Sequence, residues 1–126
     1  MWDLPKNSYS WATAGYMGAI STGQTTCGLL IGCSAAIGLQ CGNGRAGVPE
    51  EHASERDRAI GGVESLYRDF LERFGSTDCY TLCGCNYSDP EDLARHIRCE
   101  GWRDTCDIFL KFVMTKCVEM TQENQI

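Results

Sequence analysis

The sequence predicts an all-α fold, a small bundle of about four helices packed round a buried, glycine-rich central helix. The first observation behind this is a negative one: no run alternates apolar and polar residues with period two for long enough to make a convincing strand. The second is a stripe over residues 63–74, where Val63, Leu66, Tyr67, Phe70 and Phe74 fall at i, i+3, i+4, i+7 and i+11, the period of a helix with one apolar face. The third is the stretch from about Thr25 to Leu39, whose apolar residues (Leu29, Leu30, Ile31, Cys33, Ala35, Ala36, Ile37) leave no polar face. A helix hydrophobic all round belongs at the centre of a bundle.

Taken in order, residues 1–14 read as an irregular arm carrying Trp2, Tyr9 and Trp11. Gly15, Gly18 and Gly23 then mark a turn-rich stretch. In the central helix Gly28 and Gly32 lie one turn apart and let a neighbour approach closely, at about 1 kcal/mol each in helix propensity. Residues 42–54 read as a loop, the striped helix follows, and Gly75 stands where a C-terminal cap glycine is expected. Ser88-Asp89-Pro90-Glu91 is a helix start, with Ser88 as cap, Pro90 in the first turn and Glu91 closing a capping box. That helix should end by Gly101. The last one should begin near Asp104 and run through Ile108, Phe109, Phe112, Val113 and Cys117.

The chain suits one domain over 1–126, and 43% hydrophobic residues with 10% aromatics are ordinary for a globular core. Eleven Lys and Arg stand against 17 Asp and Glu, a net charge of −6. No basic stripe exists to neutralise phosphates, so nucleic acid and an anionic membrane surface are both disfavoured as partners. The longest apolar stretch, Cys27 to Leu39, has 13 residues. A bilayer span needs about 20, so no membrane span is expected. The first residues lack the charged leader and apolar run of a secretion signal, and a cytoplasmic location is the expectation. In that compartment many cysteines point to metal or redox chemistry rather than to disulfides.

Nine cysteines in 126 residues are the chemical signal. Cys27, Cys79 and Cys106 each fall at or near a predicted helix start, where the helix dipole favours thiolate, the form that binds metal. A single free cysteine is ordinarily a small apolar core residue; three at similar positions favour a shared site assembled by tertiary structure. Cys83-Gly84-Cys85 lies in a turn close to Cys79, and such a pair can ligate a soft metal or act as a resolving thiol. Cys117 is eleven residues past Cys106, roughly 16 Å along a continuous helix, too far to share one small site with it. Cys33 points to a different face from Cys27, and both Cys33 and Cys117 are expected in the core. No G-x-G-x-x-G or phosphate-binding loop is present, and His52 and His96, which lack zinc-ligand or haem-attachment spacing, are expected at the surface.

These residues resemble a known pattern. Gly15-Tyr16-Met17-Gly18, then Gly23-Gln24-Thr25-Thr26-Cys27-Gly28-Leu29-Leu30-Ile31-Gly32, then Phe74-Gly75-Ser76-Thr77-Asp78-Cys79, then Cys106, are similar to the redox-active family named for its cysteines, C–GCAxxG–C–C. That family is in turn similar to the cluster-binding domain of split-Soret cytochromes. The resemblance runs from about residue 12 to residue 117 and matches Cys27, Cys79 and Cys106 to the family's second, third and fourth cysteines. It implies a helical domain in which these thiolates hold an iron–sulfur cluster or act in electron transfer. Leu29 stands where the pattern has Ala, and the family's first cysteine lies on an upstream helix before this chain begins. A fourth ligand is then expected from Cys83 or Cys85, from a partner chain, from a non-cysteine group, or not at all.

The expected function is therefore electron transfer through an iron–sulfur cluster held by Cys27, Cys79 and Cys106, a redox carrier rather than an enzyme with its own substrate. Zinc is a less favoured occupant, and Gly28 could supply a backbone N–H close to the sulfurs. The alternatives are a metal-free thiol–disulfide protein, with Cys83 or Cys85 resolving, and a structural subunit serving assembly. A redox partner protein or a second copy of the chain is the expected partner, because an arm with Trp2, Tyr9 and Trp11 is more apolar than a free terminus needs.

Overall fold

A computed structural model describes residues 2–4 and 6–126, with side chains at 2–4 and from Ser10 onward. In chain order the helices are α1 (Lys6–Ala14), α2 (Met17–Ser21), α3 (Gly28–Cys41), α4 (Ala53–Phe74), α5 (Cys79–Cys83), α6 (Pro90–Arg98) and α7 (Cys106–Gln122). Short 3-10 turns at Pro49–Glu51 and Gly101–Arg103 precede α4 and α7. Among the described residues there is no strand, only an isolated antiparallel bridge between Thr26 and Asp78. The fold is all-α, with the predicted helices corresponding to α3, α4, α6 and α7. No helix is long and apolar enough to cross a membrane among the described residues.

The core forms where α3, α4 and α7 meet. Leu30 and Ile37 of α3 pack with Leu66 and Phe70 of α4 and with Phe109, Val113 and Met120 of α7. Phe70 lies at the centre of an aromatic group, its ring 4.7 Å from Phe74, 5.7 Å from Phe109 and 5.8 Å from Phe112. Tilted and edge-on contacts of this kind add roughly 0.5–1.5 kcal/mol per pair beyond the area they bury. Along α3 only Gly38 is exposed, as a helix without a polar face requires.

Glycine permits close approach in the bundle's longer helices at Gly28 and at Gly62. A Cβ on Gly28 would lie 2.9 Å from Ile20 Cδ1, so α2 packs onto the start of α3 as the sequence led us to expect. The second position, Gly62, is on α4: a Cβ there would lie 2.5 Å from Ile126 Cγ2 and 3.4 Å from Ile37 Cγ2. Gly75 adopts φ 78° as the C-cap of α4, with its N–H bonded to the Leu71 carbonyl.

Several sequence expectations need correction. Residues 6–14 are helical, not an irregular arm, in keeping with a segment free of glycine and proline. Trp2 folds back, its indole N–H donating to Thr121 Oγ1 at 3.2 Å, whereas Trp11 is exposed; the Tyr9 side chain lies outside the described residues. The striped helix starts at Ala53, so the last two residues of the expected 42–54 loop belong to it. Asp89, not Ser88, caps α6: its carboxylate accepts from the Glu91 and Asp92 amides, while Ser88 Oγ donates to Asn86 Oδ1. Neither histidine is fully exposed. His52 Nε2 contacts the Ala46 carbonyl at 2.6 Å, and His96 Nε2 is buried without a hydrogen-bond partner.

Candidate thiol centre

Backbone pairing brings Cys27 and Cys79 together. The Cys27 N–H donates to Thr77 O at 2.7 Å and the Cys79 N–H donates to Thr25 O at 2.9 Å, on either side of the Thr26–Asp78 bridge. In an antiparallel pair this makes Cys27 and Cys79 diagonal neighbours on one face, a relation that spaces residues about 7–8 Å apart. Tyr16 braces the clasp by donating its hydroxyl to Thr26 O at 2.8 Å, and it also contacts Thr25 Oγ1. Directly after the clasp, Asp78 caps α5, its carboxylate accepting from both the amide and the hydroxyl of Thr81 at 2.8 Å. The cap fixes the first turn of α5 and so the direction in which Cys79 leaves the chain.

Cys83 follows Cys79 by four residues on α5, which puts both on one helix face with Cβ atoms about 5–6 Å apart. Gly84 closes the helix with φ 68°, and the chain reverses so that the Cys85 N–H donates to Cys83 Sγ at 3.4 Å. Cys85 itself is buried at 2% exposure. Cys106 opens α7, with Thr105 Oγ1 3.7 Å from its sulfur. Tyr87 completes the surroundings, its ring edge-on to His96 at 5.9 Å.

Electrostatics ties these thiols into one group. Burial, then the neighbouring Cys83, Cys27 and Cys106, pushes Cys79 up to about 12. Burial also raises Cys27; the Leu29 and Leu30 amides oppose it in part, and Cys106 and Cys83 add to it. Burial raises Cys85, with Asp92 and Cys83 adding to the effect. Burial raises Tyr87 too, and Cys106, Cys83, Cys79 and Cys85 all contribute. Cys27 and Cys79 thus each lie within electrostatic reach of Cys83 and Cys106.

The expectation that helix starts lower these thiol pKa values is wrong for Cys27 and Cys79. A helix N-terminus offers about half a unit charge, and desolvation together with neighbouring sulfurs outweighs it. Gly28, expected to offer an amide, also leaves room for Ile20 and Tyr16 against α3. Among the described residues no three His, Cys, Asp or Glu side chains are grouped closely enough to hold a metal ion.

A second thiol pair lies along the core. Cys33 of α3 and Cys117 of α7, 84 residues apart in sequence, have sulfurs 2.9 Å apart. Cys33 is partly exposed and Cys117 is buried. The sequence reading put both in the core, and nothing in their spacing pairs them, since the contact depends on where α3 and α7 cross. Tyr67 lies near both thiol groups: burial raises its pKa, and Cys27 and Cys33 both add to the rise.

Fold and site together define a cysteine-rich, all-helical protein whose thiols gather from separate helices. The chain belongs to the C_GCAxxG_C_C family, described as "Putative redox-active protein", which it matches over residues 1–122. No curated protein and no solved structure matches it.

Proposed function

We propose that the chain is an electron carrier whose redox group is an iron–sulfur cluster held by Cys27, Cys79, Cys83 and Cys106. The observation that carries this reading is the convergence of charge on Cys27 and Cys79: Cys83 and Cys106, added to burial, oppose ionisation of both, which leaves a site that a cation would relieve. Thiolate donors suit iron–sulfur clusters and zinc. The family's redox description supports an electron-transfer role.

Cys83 is favoured over Cys85 as the fourth ligand. It shares a helix face with Cys79, whereas Cys85 is turned into the protein and supplies its amide to Cys83. When bound, the cluster would supply one-electron chemistry. The residues of this chain would hold it and exclude water, and the Cys85 N–H would bias its potential, since hydrogen bonds to cluster sulfurs raise it.

The metal-free alternative is weaker on two counts. Thiols with raised pKa values are protonated near neutral pH and attack disulfides slowly. Cys79 and Cys83 also stand about 5–6 Å apart at Cβ on their helix, beyond the 3.5–4.5 Å or so that a disulfide spans.

The test is anaerobic purification followed by iron, acid-labile sulfide and zinc analysis with a visible spectrum. Iron and sulfide in similar amounts, lost in Cys83→Ser and kept in Cys85→Ser, are expected. A colourless protein that takes up neither on anaerobic reconstitution would overturn the cluster, and zinc alone would leave a structural metal site.

A further inference from the structure

We propose that Cys33 and Cys117 form a second redox site, a dithiol–disulfide couple that cross-links α3 to α7 and exchanges with low-molecular-weight disulfides. The inference does not rest on the cluster. It rests on two sulfurs 2.9 Å apart on different helices, already inside van der Waals contact. A disulfide needs them to close to about 2.05 Å, a movement of less than 1 Å. Cys33 and Cys117 lie about 9 Å and 16 Å along their helices from Cys27 and Cys106, so the pair is separate from the thiol centre.

Burial assigns the order of events. Cys33 is the partly exposed member and Cys117 is 1% exposed, so an incoming disulfide meets Cys33 first. Cys33, on losing its proton to solvent, attacks one sulfur of the reagent; a mixed disulfide forms and one small thiolate leaves. Cys117, as thiolate, then attacks Cys33 Sγ, the protein disulfide forms and the second small thiolate leaves. Overall the protein dithiol is oxidised by two electrons, one reagent disulfide is reduced to two thiols, and the two protein protons end on those thiols.

Either sulfur can donate to the other, so a proton lost from the pair leaves a thiolate held by its neighbour's S–H.

The experiment uses the full chain, purified without oxygen and equilibrated in glutathione buffers from reducing to oxidising. Free thiols are then alkylated and the unreduced protein is mapped by mass spectrometry. We expect Cys33 and Cys117 to lose their label together and to appear as one linked peptide, reversed by excess glutathione. Cys117→Ser should instead trap glutathione on Cys33, and Cys33→Ser should leave Cys117 free. Full labelling of both residues in the most oxidising buffer would refute the couple, and so would linkage of either to another cysteine. Should a variant fail to fold, the wild-type map decides alone, since it needs no substitution.

Discussion

Gly61 and Gly62 are neighbours in the middle of α4, yet the same substitution should move stability in opposite directions. A Cβ on Gly61 would meet nothing within 4 Å, and the residue is exposed. Gly61→Ala therefore keeps the full gain in helix propensity, about 1 kcal/mol. Gly62 is buried, and its Cβ would lie 2.5 Å from Ile126 Cγ2, closer than carbon atoms tolerate, with Ile37 Cγ2 behind it at 3.4 Å. Overpacking of this kind costs about 1–3 kcal/mol, so Gly62→Ala should range from near neutral to about 2 kcal/mol destabilised once the propensity gain is subtracted. In a domain of this size 1 kcal/mol moves the melting temperature by about 4 °C. Gly61→Ala should melt about 4 °C above wild type and Gly62→Ala up to about 8 °C below it. Circular dichroism melts of reduced, metal-free protein would measure both. A Gly62→Ala variant that gains as much as Gly61→Ala would refute the close packing of Ile126 against α4.

Three further outcomes follow from the geometry. Asp89→Ala should cost about 1 kcal/mol through the lost cap of α6, while Ser88→Ala, which touches no helix amide, should stay close to wild type in denaturant melts. Cys79 and Cys27 have raised pKa values, so their contribution to stability is fully present below the ordinary thiol value of 9.0 and is lost as pH rises above it, through about 12 for Cys79. The metal-free, reduced protein should therefore melt lower as pH climbs through that range, with a shallower slope in Cys79→Ser; equal slopes would remove the effect. Oxidation of Cys33 and Cys117 should close a loop of 84 residues, worth up to about 4.5 kcal/mol by loss of unfolded-state entropy. The oxidised wild type should outlast its reduced form in guanidinium, and Cys33→Ser should not.

What could be read in advance was local and periodic. The apolar run of α3, the stripe from Val63 to Phe74 and the glycine that caps α4 each declare themselves within a few turns of chain. Short helices did not: α1 has no apolar stripe, and α5 is five residues wrapped round two cysteines in what reads as a turn. The order of glycines and cysteines singled out Cys27, Cys79 and Cys106, and their electrostatic kinship depends on three separate helix starts meeting. The direction of the thiol shifts was illegible because it depends on burial, which outweighs helix-start chemistry. Cys33 and Cys117 were hidden for a further reason. Their contact is a property of a helix crossing, and neither residue's neighbours in sequence announce it.

The clasp between Thr26 and Asp78 also sets an order of events in folding. It joins segments 52 residues apart, so closing it alone costs loop entropy that the docking of α3 on α4 lowers, and this favours its forming after that docking. Cys27 and Cys79 are strangers in the nascent chain. Whatever the thiol centre carries would arrive late, at a scaffold already built, so the occupant should follow the fold rather than nucleate it.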